Sequence, residues 1–199
     1  MLSAAYTDAR RRLLQAAVLL AMVLALGAAA TDVKARQQTP QPQVEATDLA
    51  NWIHAQINEQ RKRHGLGLLA WNTALSRIAT KHSRDMANRN YFSHDSPEGK
   101  TFSYRYQQDG FSCEIRIGKL IYAGAENIAL SHLYNSMTIE NGVADYHWNS
   151  AQEIALKTVD GWMNSPGHRK NILTPYWRQE GVGVEIGPGN KIYITQNFC

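Results

Sequence analysis

The 199-residue chain is poor in the short signatures that announce a reaction. It has no H-E-x-x-H, so a helical zinc-protease site is excluded. It has no G-x-S-x-G; the run around its best-placed serine reads Met163-Asn164-Ser165-Pro166-Gly167, which gives no nucleophile elbow. There are only two cysteines and no C-x-x-C, so neither a zinc ribbon nor a dithiol redox motif is present. No N-x-S/T sequon occurs. Basic charge is also thin: of the net +4, Arg10, Arg11, Arg12 and Lys34 less Asp8 and Asp32 account for two. What remains after Ala35 forms no clustered basic face, which argues against nucleic acid as a partner. No internal repeat is visible.

Long apolar runs are missing too, with one exception. Leu13 to Ala30 is apolar except for Gln15 and follows the basic Arg10 to Arg12. Small residues at Ala28 and Ala30, or Val33 and Ala35, offer A-x-A-like cleavage sites. The run is also long enough to stay as a single anchor, since about 18 to 20 apolar residues span a bilayer. Residues 1–35 are therefore a signal peptide or an N-terminal membrane anchor, and both readings place the remainder outside the cytoplasm, secreted or membrane-anchored. Membrane contact is expected only through this segment. Residues 36–47, "RQQTPQPQVEAT", are polar and aperiodic and read as a flexible linker. Residues 48–199 then form one domain, expected to be monomeric. Both cysteines, Cys113 and Cys199, lie in it, and an oxidising compartment permits a bridge between them; two buried thiols are the alternative.

Within the domain the apolar spacing is helical at first. Leu49, Trp52, Ile53 and Ile57 predict a first helix that stops at His64-Gly65. Asn72 is placed to cap a second, with Leu75, Ile78, Ala79 and Met86 on one face and His82 among them as a core histidine. A short helix from Thr101 to about Gln108 follows the turn-rich "YFSHDSPEGKTF". Residues 131–149 show no sustained period and are expected as a long surface loop, with His132 and His147 facing solvent. Ser150 and Glu153 fit a capping box ahead of Ile154, Val159, Trp162 and Met163. Ser165 is positioned to cap a further short helix with Pro166 at its first turn. Val182, Val184 and Ile186 alternate, "GPGN" turns, and "KIYITQNF" alternates again, a hairpin; a missing strand is expected near "KLIYAGAEN". Helices followed by an antiparallel hairpin define an α+β fold.

Three segments put an ionisable residue at an apparent break: "FSHDSPEG" with His94, "AGAENIA" with Glu126 and "NSPGHRKNIL" with His168. Two imidazoles and a carboxylate suit zinc or another divalent cation, with an open position for water. Their wide separation in sequence is no local metal motif, and each has a plainer role in closing a turn or capping a helix. Ser93 and Ser165 are the candidate nucleophiles, and Asp95, Glu98, Glu126 and Glu153 the candidate acid/base carboxylates.

Taken in order, "YFSHDSPEG", "GAENIA", "VDGWMNSPGHRKNIL", "GVGVEI" and "YITQNF" resemble the CAP superfamily, or SCP domain, of cysteine-rich secretory, antigen-five and pathogenesis-related proteins, in its prokaryotic branch. The resemblance implies a three-layer α-β-α sandwich over roughly residues 49–199. It also implies a central cleft lined by two histidines and two glutamates able to bind a divalent cation. Motif by motif, His94 and His168 match the histidines and Glu126 the first glutamate, while Ser165 stands near the second. The implied role is an exported protein whose cleft binds a small molecule, lipid or envelope component, with His94, Glu126, His168 and Ser165 as its lining. Metal-assisted hydrolysis of peptide or cell-wall substrates is the alternative. The low cysteine count and the missing sequon fit a prokaryotic exported member.

Overall fold

A computed structural model describes residues 40–199. The leader or anchor expected over residues 1–35 lies outside the described residues, as do positions 36–39 of the linker. Among the described residues no helix is long and apolar enough to cross a membrane. Positions 40–45 carry no regular structure, and the first helix, α1, runs Ala46–Arg63. Leu49, Ile53 and Ile57 form its buried stripe; Trp52, expected with them, is 39% exposed. Gly65, at φ +68, follows the His64 cap and lets the chain leave the helix left-handed.

Strand β1 (Ala70–Trp71) leads into α2 (Thr73–Arg89), where the Asn72 side chain accepts the Leu75 amide at 2.9 Å. Then come α3 (Phe102–Gln108), a small hairpin of β2 (Ile115–Ile117) and β3 (Leu120–Tyr122), and β4 (Ala125–His132). The expected surface loop at 131–149 is instead the end of β4 and a second hairpin, β5 (Tyr134–Glu140) with β6 (Val143–Trp148). Its turn is Asn141-Gly142, both at positive φ, a local hairpin signal. His147 is exposed there as anticipated, whereas His132 packs against the Tyr134 ring at 5.3 Å.

The chain closes with α4 (Ala151–Asn164), α5 (Pro166–Ile172), and the hairpin of β7 (Gln179–Ile186) and β8 (Lys191–Phe198). The Ser150/Glu153 capping box is formed. Ser165 precedes α5 without a side-chain cap bond, so Pro166 alone marks that start.

The main sheet has the order β1-β7-β8-β4, parallel between β1 and β7 and antiparallel elsewhere. Alternation along β7 and β8 sends Val182, Val184, Ile192 and Ile194 to one face, where they join Leu49, Ile53, Ile154 and Trp162 from α1 and α4. The opposite face carries α2: Met86 packs with Ile128 and Tyr193, and Ser83 donates to Thr195 Oγ1 at 2.9 Å. This is the three-layer α-β-α arrangement.

Close approach of α2 to the sheet depends on absent side chains. A Cβ on Gly181 would lie 2.1 Å from Ser76 N, and one on Gly183 2.0 Å from Thr80 N. On the far face a buried chain of polar groups crosses the layers. His54 meets Glu180 at 2.5 Å, Gln196 donates to the second Glu180 oxygen, also at 2.5 Å, and Asn127 donates to Gln196 at 3.0 Å. The buried Arg61 donates to Ile172 O and Thr174 O, tying α1 to the end of α5. Cys113 and Cys199 are bridged, with Cα atoms 5.6 Å apart and a sequence separation of 86. Closing such a loop stabilises by about 4 to 5 kcal/mol in the chain-entropy limit, and it secures the end of β8 against α3 and the β2–β3 hairpin.

Gly183→Ala is expected to lower stability by about 3 kcal/mol or more, because helix backbone rather than a flexible side chain stands where the methyl would go. Urea unfolding of the two proteins measures it; an unchanged midpoint contradicts the packing described.

Candidate functional site

Glu126 is the second residue of β4, not a turn residue as its sequence setting implied. Its neighbour across the sheet is Asn197, and the alternation that sends Ile128 to the α2 face sends Glu126 there as well. The carboxylate is buried, its side chain 1% exposed. A carboxylate removed from water needs partners, and Glu126 has one for each oxygen. His94 Nδ1 is 2.9 Å from Oε1, and Arg105 Nη2 donates to Oε2 at 2.6 Å. Since an ionised carboxylate only accepts, the His94 proton belongs on Nδ1, which leaves Nε2 as the outward nitrogen.

The loop bearing His94 is held from two helices. From α2, His82 Nε2 lies 3.0 Å from Ser93 O. From α3, Arg105 donates to His94 O at 3.0 Å and to Lys100 O at 2.9 Å. His82 is thus the buried core histidine expected, and it also fixes the residue before His94. Around the tip, Ser96 Oγ accepts from the Lys100 amide, and Arg89 pairs with Glu98.

His168 arrives from α5. One turn further along that helix, Asn171 donates to Glu126 O at 3.1 Å and to Asn127 Oδ1 at 2.9 Å, while Asn127 donates to His168 O at 3.3 Å. Helix and strand are thereby stitched at the level of the carboxylate. The His94 and His168 rings face each other with centroids 6.4 Å apart and planes tilted by 41°. His94, Glu126 and His168 are therefore brought together from a loop, a strand and a helix.

Ser165 lines, with His168, a groove of about 320 Å³ between β4 and α4, whose other walls include Ala129, Leu130, Lys157 and Trp162. His94 and Glu126 stand beyond that lining. A larger cavity, about 420 Å³, lies beside the disulfide and contains none of the histidines. Ser93 Oγ accepts from the Asp95 amide, Glu153 is engaged in its capping box, and Glu98 serves Arg89 and Ser96. None of these three has the geometry of a catalytic group.

The three-ligand metal set expected from the sequence is not formed. Among the described residues no group of three or more His, Cys, Asp or Glu side chains could hold a metal ion. The carboxylate expected as the third ligand instead pairs with His94 through one oxygen and, through the other, with Arg105, which sequence reasoning missed. Arg105 lies 21 residues from Glu126 on a short helix read only as a connection, so spacing carried no signal of it.

These features define a three-layer α+β domain in which two histidines and a buried glutamate meet at one sheet edge. The sequence profile of the CAP family, described as the cysteine-rich secretory protein family, matches residues 54–198, and the chain belongs to that family. It is 31% identical over 162 residues to the uncharacterized membrane protein YlbC of Bacillus subtilis, covering 81% of this chain and 35% of that one. It is 33% identical to an extracellular SCP-domain protein of Bacillus anthracis, covering 77% of this chain and 40% of the other, with a TM-score of 0.57. An outer surface protein of Borrelia burgdorferi shares the fold at 16% identity and a TM-score of 0.56, covering 80% of this chain and 97% of that one. This chain thus spans 35% and 40% of the lengths of the first two.

Two imidazoles near the site titrate below the usual histidine range. At His82 burial is the main cause, and at His168 burial is joined by repulsion from His94. The unfolded chain therefore takes up these protons first. Stability is unaffected by them above about pH 6.5 and declines as pH falls below it, until the folded-state rings are themselves protonated. Thermal unfolding between about pH 7 and pH 5 is expected to show this slope, shallower in His82→Gln; equal slopes contradict the assignment.

Proposed function

We propose that the chain is an exported CAP domain that holds a ligand at the cell envelope, in the cleft where His94, Glu126 and His168 meet. The observation that carries this reading is the engagement of both Glu126 oxygens. A carboxylate so occupied is poorly placed to take a proton from water or to complete a hydrolytic metal centre. Two half-exposed imidazoles beside an apolar groove are suited to binding by contact instead. The groove fits an elongated envelope component, with an apolar body against Ala129, Leu130 and Trp162 and a polar end at Ser165 and His168.

Export is supported by the apolar run of Leu13 to Ala30 and by relatives named as a membrane protein and an extracellular protein. The same run provides either a cleaved signal or a tether, and the domain acts outside the cytoplasm in both cases. Metal-assisted hydrolysis of peptide or cell-wall substrates is the second reading. What favours it is the carboxylate-oriented His94 ring, an arrangement common behind metal-bound imidazoles.

The test compares the full chain with the His94→Ala/His168→Ala double variant, which carries the same N-terminal segment. Each is sedimented with purified peptidoglycan sacculi and, separately, with phosphatidylglycerol vesicles. Retention of the wild type on one of the two matrices, at least tenfold stronger than that of the double variant, is expected, without release of soluble fragments. Equal retention, or none on either, contradicts the binding role. Chelator-sensitive release of fragments would replace it with the hydrolytic reading.

A further inference from the structure

Strand β4 is an edge of the main sheet. Alternate residues along it bond β8, and the others, Glu126, Ile128, Leu130 and His132, turn their backbone groups outward. Side chains cover three of those four carbonyls. Asn171 donates to Glu126 O at 3.1 Å, Trp162 Nε1 to Ile128 O at 2.9 Å, and Asn149 Nδ2 reaches His132 O at 3.5 Å. The Leu130 carbonyl has no such partner among the described residues, and Leu130, 40% exposed, lies on the wall of the groove between β4 and α4. Its N–H and C=O form a template for pairing with an added strand.

The facing wall leaves space for a backbone. Gly161 lines the groove from the interior of α4, where glycine is the least favoured residue apart from proline. Neither of the usual reasons for a glycine applies: its φ is not left-handed, and a Cβ built on it meets no other part of the protein within 4 Å. Its missing side chain therefore widens the groove and serves no internal contact. Lys157, also on that wall, donates through Nζ to Asn149 Oδ1 at 2.7 Å and to Asn135 Oδ1 at 3.1 Å. Both acceptors are neutral, and an ammonium has a third donor. Glu153, one turn away, feels the lysine charge but is held in its capping box.

We infer that the groove takes the end of an extended peptide with a free C-terminal carboxylate. The direction follows from Lys157, which stands at the C-terminal end of β4 because its partner Asn149 bonds Leu133 O there. A carboxylate on Lys157 therefore requires the peptide to run parallel to β4. In that register Leu130 N–H donates to the carbonyl two residues before the peptide's last, and Leu130 O accepts the N–H of the last residue. Gly161 admits the peptide backbone between helix and strand. This names a ligand class for the groove and rests on the binding reading above.

Acetyl-Ala-Ala-Ala with a free carboxylate is titrated into the isotope-labelled full chain, with the Leu130 amide resonance as readout and circular dichroism reporting the fold of each variant. A saturable shift of that resonance at millimolar peptide is expected. Binding is expected to weaken by about tenfold or more when the peptide ends in an amide, when its last N–H is methylated, or in Lys157→Met. It is expected to vanish in Gly161→Leu, whose melting temperature does not fall. Decanoate, with the same carboxylate on an alkyl chain, is expected to leave the Leu130 amide in place. No saturable shift in the wild type, equal affinity for the amide-ended or methylated peptide, undiminished binding by Lys157→Met or Gly161→Leu, or an equal response to decanoate would each overturn the inference. Retention on sacculi or vesicles without tripeptide binding removes this inference alone, and tripeptide binding without such retention removes the envelope reading alone.

Discussion

A carboxylate buried on an edge strand, with one oxygen on an imidazole and the other on a guanidinium, is the constraint around which this cleft is arranged. Glu126 is fixed by the pairing of β4 with β8, and burial obliges it to recruit partners from elsewhere in the chain. The partners come from elements with no other reason to meet. His94 belongs to the loop after α2, and Arg105 to the short helix that follows. By binding Glu126 and two loop carbonyls together, Arg105 converts a turn-rich stretch into a defined wall. Loss of either partner would leave a buried charge or a loose loop, which makes the cluster structural.

The far wall is set by different means. Arg61 ties α1 to the end of α5 through backbone carbonyls, and the Asn171 and Asn127 amides stitch α5 to β4, so His168 is carried in without an ion pair of its own helix to the strand. The Pro-Gly sequence ahead of it now has a physical reading. Ser165 is extended, Pro166 starts a new helix, and the break between α4 and α5 lets the chain present His168 to His94 at the edge of the sheet. The same break places Ser165 and His168 at the mouth of the groove along α4.

Much of this was legible in order of locality. Asn72, the Ser150/Glu153 box and the alternation of Val182, Val184 and Ile186 are decided within a few residues, and each formed as its pattern indicated. The β5–β6 hairpin was missed although Asn141-Gly142 marked its turn and Met137, Ile139, Ala144, Tyr146 and Trp148 alternate along its strands. The convergence of His94, Glu126 and His168 was legible only through the ordered family motifs. Composition and spacing say nothing about which loop meets which strand. Arg105 was illegible altogether: an arginine on a short helix is ordinarily solvated, and only the tertiary position of Glu126 gives it a buried partner. That single contact adds a buried ion pair to the cluster.

The claim on which the rest depends is that Arg105 and Glu126 are energetically coupled and not merely adjacent. A double-mutant cycle with Arg105→Met, Glu126→Gln and the combined variant, read by urea unfolding, isolates that term. A coupling of roughly 2 to 3 kcal/mol is predicted for a pair so little exposed, with the double variant more stable than the sum of the single losses implies. A coupling below about 0.5 kcal/mol, the value of an exposed surface pair, would contradict the account.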